Sequence, residues 1–160
     1  MSLDRFHEAQ AKRSAGYDNA LGEIRRGRKT SHWISYIFRQ LAGLARSAMA
    51  TNYAIRGLTK ACDYLRDPIL RARYEEITAA VSDQLARGLA VEDLMGSRID
   101  ALKLVSSLTL LRAAADRIST SDDTFKSVNA CCDSLPARVG AASYPACTST
   151  FRATTGASDL

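Results

Sequence analysis

The residues best suited to chemistry form one short run, Lys29-Thr30-Ser31-His32-Trp33. This run combines a cation, hydroxyl groups, an imidazole and the chain's only tryptophan. It follows Gly27, a residue typical of a helix end, so the run is predicted to begin the next helix. Backbone N–H groups at a helix start attract anions, and the rings of Trp33 and Tyr36 suit stacking on a base. The run therefore predicts a site for a phosphate or carboxylate group.

His32 is the residue of this run that is suited to proton transfer. An imidazole changes its protonation state close to neutral pH, so it can serve as a general acid or base. We therefore name His32 as the candidate catalytic residue. A purely structural interpretation is also open, in which Thr30 or Ser31 caps a helix and Trp33 anchors the core.

Further polar residues lie within otherwise apolar stretches of the chain. One set, in a predicted helix, is Lys103, Ser106, Ser107 and Thr109, and another is Gln40, Arg46, Ser47 and Tyr53. Asp100, Lys103 and Ser107 are spaced so that they share one helix face. Because a buried polar group is costly unless it is hydrogen-bonded, these side chains either bind a neighbouring loop or line the same site as the 29–33 run.

The predicted site thus has one catalytic candidate, His32, and a larger ligand-binding set. The ligand-binding candidates are Lys29, Ser31, Trp33, Gln40, Arg46, Ser47, Tyr53, Lys103, Ser106, Ser107 and Thr109. No cofactor or metal is predicted, because the four cysteines lack C-x-x-C spacing and the two histidines do not complete a zinc set.

Composition narrows the class of partner. Residues 1–60 carry eleven Lys or Arg and four Asp or Glu (+7), residues 61–160 carry eleven and thirteen (−2), and the two values sum to +5. An Arg-rich surface suits an anionic partner, but the basic run at 25–29 is short and lacks interleaved aromatics, so nucleic-acid binding is not predicted. No apolar segment reaches the length of a membrane span. We expect a cytoplasmic protein with reduced thiols.

Hydrophobic periodicity predicts helical segments through the first 128 residues. They run from Ser2 to about Gln10, Tyr17 to Arg26, Ser31 to about Leu44, Ser47 to Gly57, Thr59 to about Leu65, Pro68 to Ala86, Ile99 to Ala115, and onward from Asp122. A single helical turn is predicted from Val91 to Met95. Asp67-Pro68 is the clearest boundary, because Asp accepts hydrogen bonds from first-turn amides and Pro suits the first helical position. The stretch from Trp33 to Phe38 also fits a short β-like run, but its neighbours are helical.

These segments predict an all-α fold, a compact multihelical single domain of about seven to eight helices. We assign residues 1–128 to this helical domain. Residues 129–160 are rich in Cys, Ser and Thr and lack a period, so they are predicted to form a loosely ordered tail.

A set of polar and apolar residues between Leu3 and Phe125 matches the motifs of a known family. The set includes Phe6, Ala9-Gln10, Tyr17, Ala20 to Gly27, Lys29, Ser31-His32-Trp33, Phe38, Gln40-Leu41, Gly43-Leu44, Arg46-Ser47, Ala50, Tyr53, Ile55, Ala61, Tyr64-Leu65, Pro68, Leu70, Arg73, Gly96, Asp100, Lys103, Ser106-Ser107 and Thr109-Leu110. On these motifs the chain resembles the uncharacterised bacterial family catalogued as domain of unknown function 1810, some members of which are mislabelled calpastatin. The resemblance implies a compact multihelical domain without an established activity. It also favours joining the three polar sets into one site, because their members fall on the family's motif positions.

The chain departs from this family's pattern at three places. Arg39 stands where the family usually has Pro, and Ala45 where it usually has Gly. After Val128 the expected aromatic, Gly-containing helical ending is replaced by the Cys/Ser/Thr-rich tail, which we interpret as a frameshifted or degenerate end.

Two functions are consistent with the sequence. The first is a polar pocket for an anionic, nucleotide-like metabolite, with or without catalysis by His32. The alternative is a non-catalytic interaction module that uses the Trp33, Tyr36 and Phe38 surface. Convergence of Lys29, Lys103 and Ser107 with His32 favours the pocket.

Overall fold

The computed structural model describes residues 3–38 and 57–118. Within these two ranges the chain forms seven α-helices and no strand, so the predicted all-α class is confirmed. The helices are α1 (Asp4–Gln10), α2 (Tyr17–Arg25), α3 (Ile34–Ile37), α4 (Leu58–Arg66), α5 (Pro68–Ala86), α6 (Val91–Met95) and α7 (Arg98–Ile118). None of these seven is both long and apolar enough to cross a membrane.

Helix α7 lies at the centre of the packing. It contacts α3, α4 and α6, while α2 packs along α5 and α4 also contacts α5. Ten of the 21 residues of α7 are buried, a share too large for one narrow stripe. Such a helix must be covered on more than one side, which explains why the sequence of α7 is apolar over a wide arc.

Five aromatic rings form a continuous chain through the core. Trp33 contacts Phe38 with ring centroids 6.2 Å apart, and Phe38 meets Tyr74 edge-on at 5.8 Å. Tyr74 contacts Tyr64 at 6.4 Å, and Tyr64 contacts Phe6 at 5.7 Å, both in T-shaped pairs. Edge-to-face pairs contribute about 0.5–1.5 kcal/mol each beyond the burial of their area. The chain of rings therefore joins α1, α4 and α5 to the segment that contains α3.

A buried glutamine connects the same elements through polar contacts. Gln10, 4% exposed, donates from Nε2 to the carbonyl oxygen of Tyr36 at 2.9 Å and to the hydroxyl of Tyr64 at 3.1 Å. Its Oε1 accepts from Arg73 at 3.4 Å. Because each polar group of this amide has a partner, its burial carries no unpaired donor or acceptor.

The boundary between α4 and α5 is the one predicted from Asp67-Pro68. The Asp67 carboxylate accepts from the backbone N–H groups of Ile69 and Leu70, both at 3.0 Å, and Pro68 occupies the first helical position. His7 Nε2 lies 2.9 Å from the other carboxylate oxygen. Burial opposes ionisation of Asp67, but the bonds from Leu70 and His7 lower its pKa.

The described helices differ from the predicted ones at two starts. The helix predicted from Ser31 begins at Ile34, because Ser31 takes part in a turn instead. Thr59 does not cap α4: Gly57 holds the cap position with a φ of 109°, which suits glycine, and Thr59 lies inside the helix. The predicted Ser2 cap, the helices from Ser47 and Asp122, Arg39, Ala45 and the tail from 129 to 160 lie outside the described residues.

Replacing Asp67 should measurably destabilise the protein. Asp67→Ala removes two bonds to first-turn amides and the contact with His7, so we expect the free energy of unfolding to fall by about 1–2 kcal/mol in urea denaturation. Asp67→Asn, which keeps a capping oxygen, should cost less. Asp63→Ala, on the exposed face of α4, serves as the control, and an equal loss in that variant would show that the cap is not the cause.

Candidate functional site

Glu23 holds the segment between α2 and α3 in place. This residue is 2% exposed, and its carboxylate accepts from the backbone N–H groups of Thr30 and Ser31, the latter at 2.7 Å. Asn19 donates to the other carboxylate oxygen at 2.5 Å. The backbone donors that were expected to attract an external anion therefore bind a carboxylate of the chain itself.

The same contacts set the ionisation of Glu23. Burial alone would raise the pKa of the Glu23 carboxyl, but the hydrogen bonds from Thr30 and Ser31 outweigh this effect and lower the pKa to about 2. Glu23 is therefore a carboxylate at neutral pH. Its role is to fix the 30–31 turn rather than to donate a proton.

The backbone of Lys29 is bound to the junction between α6 and α7. Its N–H donates to the carbonyl oxygen of Leu94 at 2.7 Å. Gly96, which ends α6 with a φ of 82°, lies so close that a Cβ atom there would be 3.0 Å from the carbonyl oxygen of Lys29. Glycine meets both demands, because it accepts the left-handed backbone and leaves room for the approach.

This placement brings the Lys29 side chain to the start of α7. Lys29 Nζ lies 2.8 Å from Asp100 Oδ2, with side-chain exposures of 7% and 18%. Lys103 Nζ lies 3.9 Å from Asp100 Oδ1, and its side chain is 25% exposed. We refer to Lys29, Asp100 and Lys103 as the lysine cluster. The sequence had placed Asp100 and Lys103 on one helix face, and the structure adds Lys29 to them.

Trp33 closes the inner side of the lysine cluster. Lys29 Nζ lies 5.3 Å from the centroid of the Trp33 ring, within the range of a cation–π contact. Trp33 is fully buried, and its Nε1–H has no hydrogen-bond partner within residues 3–38 and 57–118. An ammonium carries three N–H donors, and among the described residues the ammonium of Lys29 meets one acceptor, Asp100. Within the part of the chain that the structure describes, buried donors thus outnumber acceptors at this point.

The hydroxyl groups of α7 have partners on helices. Ser107, fully buried, lies with Oγ 3.1 Å from the hydroxyl of Tyr74, and Thr109 donates to the carbonyl oxygen of Val105 at 2.9 Å. Ser106 is 2% exposed. Of the two roles considered for these residues, the structure supports a packing role for Ser107 and Thr109, although the Ser107 partner lies on α5 rather than on a loop.

His32 and Ser31 are adjacent to the cluster in sequence but have different surroundings. The His32 side chain is exposed, and no described residue hydrogen-bonds to its imidazole; its carbonyl oxygen accepts from the Tyr36 hydroxyl at 3.2 Å. Ser31 Oγ accepts from Asn19 at 3.3 Å and so belongs to the Glu23 turn. Gln40, Arg46, Ser47 and Tyr53 lie outside the described residues.

The prediction of a docking surface formed by Trp33, Tyr36 and Phe38 is wrong. Trp33, Tyr36 and Phe38 are 0%, 3% and 0% exposed. Their side chains are part of the core, so they present no face to a protein partner, and Trp33 and Tyr36 offer no open face on which a base could stack. The aromatic density of this stretch reflects core packing.

Glu23 was missed by the sequence analysis. It lies on α2 between Gly22 and Ile24, and only the return of residues 30 and 31 over the end of that helix makes it a buried anchor. No local signal identifies it. Within the described residues, no group of three or more His, Cys, Asp or Glu is arranged to hold a metal ion.

The fold and these contacts define a small all-α domain with a buried lysine–aspartate cluster. The chain belongs to the family described as protein of unknown function (DUF1810), whose sequence pattern matches residues 1–132. Its structure is similar to the crystal structure of the conserved hypothetical protein Rv1873 from Mycobacterium tuberculosis, with a TM-score of 0.71 and 32% sequence identity. That similarity covers 99% of this chain and 96% of the other. A search of curated proteins found no similar sequence.

Removing the charge of Glu23 should destabilise the domain. Glu23→Gln replaces charge-assisted hydrogen bonds with neutral ones, so we expect the free energy of unfolding at pH 7 to fall by about 1–3 kcal/mol. Because the folded pKa of Glu23 lies below its ordinary value of 4.5, at about 2, its contribution is complete above pH 4.5 and is lost as the pH falls towards 2.

Urea denaturation between pH 7 and pH 3 checks both the loss of stability in Glu23→Gln and its dependence on pH. The difference between wild type and Glu23→Gln should shrink as the pH is lowered. Glu8→Gln, the same change at an exposed site on α1, should have little effect. A stability difference between wild type and Glu23→Gln that stays constant with pH would contradict the role assigned to the Glu23 carboxylate.

Proposed function

We propose that this protein binds a small metabolite through an anionic group, which the lysine cluster holds. One observation carries the proposal, the excess of buried donors beside Trp33. The Lys29 ammonium meets a single acceptor among the described residues, and the indole N–H of Trp33 meets none. A phosphate or carboxylate group offers several acceptor lone pairs together with negative charge, which suits such a set of donors.

The cluster has a side from which a ligand can approach. Exposure increases outward, from 7% for the Lys29 side chain to 18% for Asp100 and 25% for Lys103. A ligand would therefore meet Lys103 first, on the α7 side, and reach Lys29 beyond it. Lys103 thus has the role of the outer contact and Lys29 that of the inner one.

The local charge also favours an anion. Two ammonium groups surround one carboxylate, so the cluster itself carries a net positive charge. Asp100 and Lys103 lie in the first two turns of α7, whose 21 residues give its N-terminal end a positive dipole. Both contributions act within a partly buried region, where solvent screens them less than at an open surface.

The geometry supports binding more than catalysis. A general base needs a second group to orient it, and the exposed imidazole of His32 lacks one among the residues described. The proposal therefore assigns the ligand contacts to Lys29, Lys103 and Trp33, with the motif residues Gln40, Arg46, Ser47 and Tyr53 as further candidates. The proposed ligands include nucleotide-like metabolites. We also propose a cytoplasmic location, where the free thiol of Cys62 stays reduced.

The single tryptophan provides a direct test. In a ¹H–¹⁵N spectrum, Trp33 gives one indole signal, which should shift when inorganic phosphate, AMP or ADP-ribose is titrated in. Lys103→Met should weaken the affinity for the probe that binds by about tenfold or more, which corresponds to about 1.4 kcal/mol. A ligand present at 100 times its dissociation constant should also raise the free energy of unfolding by about 2.7 kcal/mol.

Two variants control this test. Lys60→Met removes a lysine that pairs with Asp63 at 3.5 Å on an exposed face, and it should leave the affinity unchanged. His32→Gln should also bind normally, because the proposal gives His32 no ligand contact. An equal loss of affinity in Lys60→Met and Lys103→Met would show that general surface charge causes the effect. A Trp33 indole signal that does not shift with any probe would refute the proposal.

A further inference from the structure

Asp100 occupies an unusual position for a residue beside an anion site. Its Oδ2 lies 2.8 Å from Lys29 Nζ, whereas its Oδ1 is 3.9 Å from Lys103 Nζ, beyond hydrogen-bond distance. The carboxylate is therefore bound closely to the inner lysine and only loosely to the outer one. It supplies the negative charge that the buried ammonium of Lys29 requires.

A carboxylate in that position competes with any anion for Lys29. An incoming anionic group can contact Lys103 while Asp100 remains in place, but it can take the position 2.8 Å from Lys29 Nζ only if Oδ2 gives way. Asp100 is 18% exposed on its side chain and lies in the first turn of α7. Near the end of a helix, a side chain with partial solvent access can change rotamer without disturbing the core.

We propose that Asp100 is an internal counter-ion that the ligand displaces from Lys29, and that this exchange makes the site select a phosphate group over a single carboxylate. The inference rests on the proposed function. A monocarboxylate that replaces Asp100 substitutes one carboxylate for another, so the exchange contributes little free energy of binding. A phosphate monoester brings nearly two negative charges and three acceptor oxygens at neutral pH, enough to contact the ammonium groups of Lys29 and Lys103 together.

The chain contains a matched control for this carboxylate. Asp63 also pairs with two cations, Lys60 and Arg66, each at 3.5 Å. Its side chain is 40% exposed, and those of Lys60 and Arg66 are 46% and 61% exposed. Each of the two sites therefore consists of one carboxylate and two cations, but the Asp100 site is more buried than the Asp63 site.

The first experiment compares Asp100→Asn with Asp63→Asn in the full chain at pH 7.5. Binding of inorganic phosphate and of acetate is followed through the Trp33 indole signal. Wild type should bind phosphate at least about tenfold more tightly than acetate. Asp100→Asn should bind phosphate at least about tenfold more tightly than wild type, and Asp63→Asn should match wild type.

The second experiment needs no variant, so it holds even if Asp100→Asn fails to fold. In the ¹³C-labelled wild-type chain, the side-chain carboxyl signal of Asp100 should shift as phosphate is added, in step with the Trp33 indole signal, while that of Asp63 should stay constant. A Trp33 signal that responds while the Asp100 carboxyl signal does not would overturn the internal counter-ion. Equal affinities of wild type for acetate and phosphate would overturn the selectivity.

These outcomes separate the two proposals. Phosphate binding that depends on Lys103, with an unmoved Asp100 carboxyl signal and an unchanged affinity in Asp100→Asn, would leave the proposed function standing and refute the counter-ion exchange. Absence of any response of Trp33 to phosphate, acetate, AMP and ADP-ribose would refute both.

Discussion

A lysine ammonium is buried only together with a counter-ion, and the Lys29–Asp100 pair imposes this condition on the surrounding fold. Removing one member of a buried ion pair typically costs about 3–5 kcal/mol, because the other charge is left uncompensated. Asp100 is fixed by α7, so Lys29 must lie at the start of that helix. The bond from Lys29 to Leu94 and the close approach of Gly96 are the backbone contacts that make this position possible.

Two carboxylates have different structural roles in the polar interior. Glu23 binds backbone N–H groups and so determines the path of the segment, whereas Asp100 binds the side-chain ammonium of Lys29 and compensates its positive charge. A backbone turn cannot give up its anchor without unfolding locally, but a side-chain ion pair can exchange its partner. The distinction explains why the amides of Thr30 and Ser31 form part of the scaffold, while Lys29 and Lys103 are the residues proposed to contact a ligand.

Local sequence signals predicted the helices well, because those signals act within a few residues. Asp67 begins α5, and Gly27 and Gly88 follow α2 and α5 with φ values of 91° and 96°. Tertiary contacts were much less predictable. The aromatic run at 33–38 fitted a stacking surface, a docking surface or a core anchor equally, and only the packing of α5 and α7 around it makes it core. Lys29 and Lys103 were named from sequence, yet the pairing through Asp100 depends on how the 27–33 segment meets α7.

The polar contacts between the two described ranges also bear on how quickly the chain finds its fold. Gln84 donates to the carbonyl oxygen of Ile24 across 60 positions, Tyr17 to Glu76 across 59, and Arg73 to Gln10 across 63. Helical proteins usually fold fast because their contacts are local, and folding slows as the mean sequence separation of contacts increases. Here the N-terminal helices gain these three partners only after a long loop has closed. The chain should therefore have a higher contact order than a simple up-and-down helical bundle, and its folding rate should be correspondingly lower.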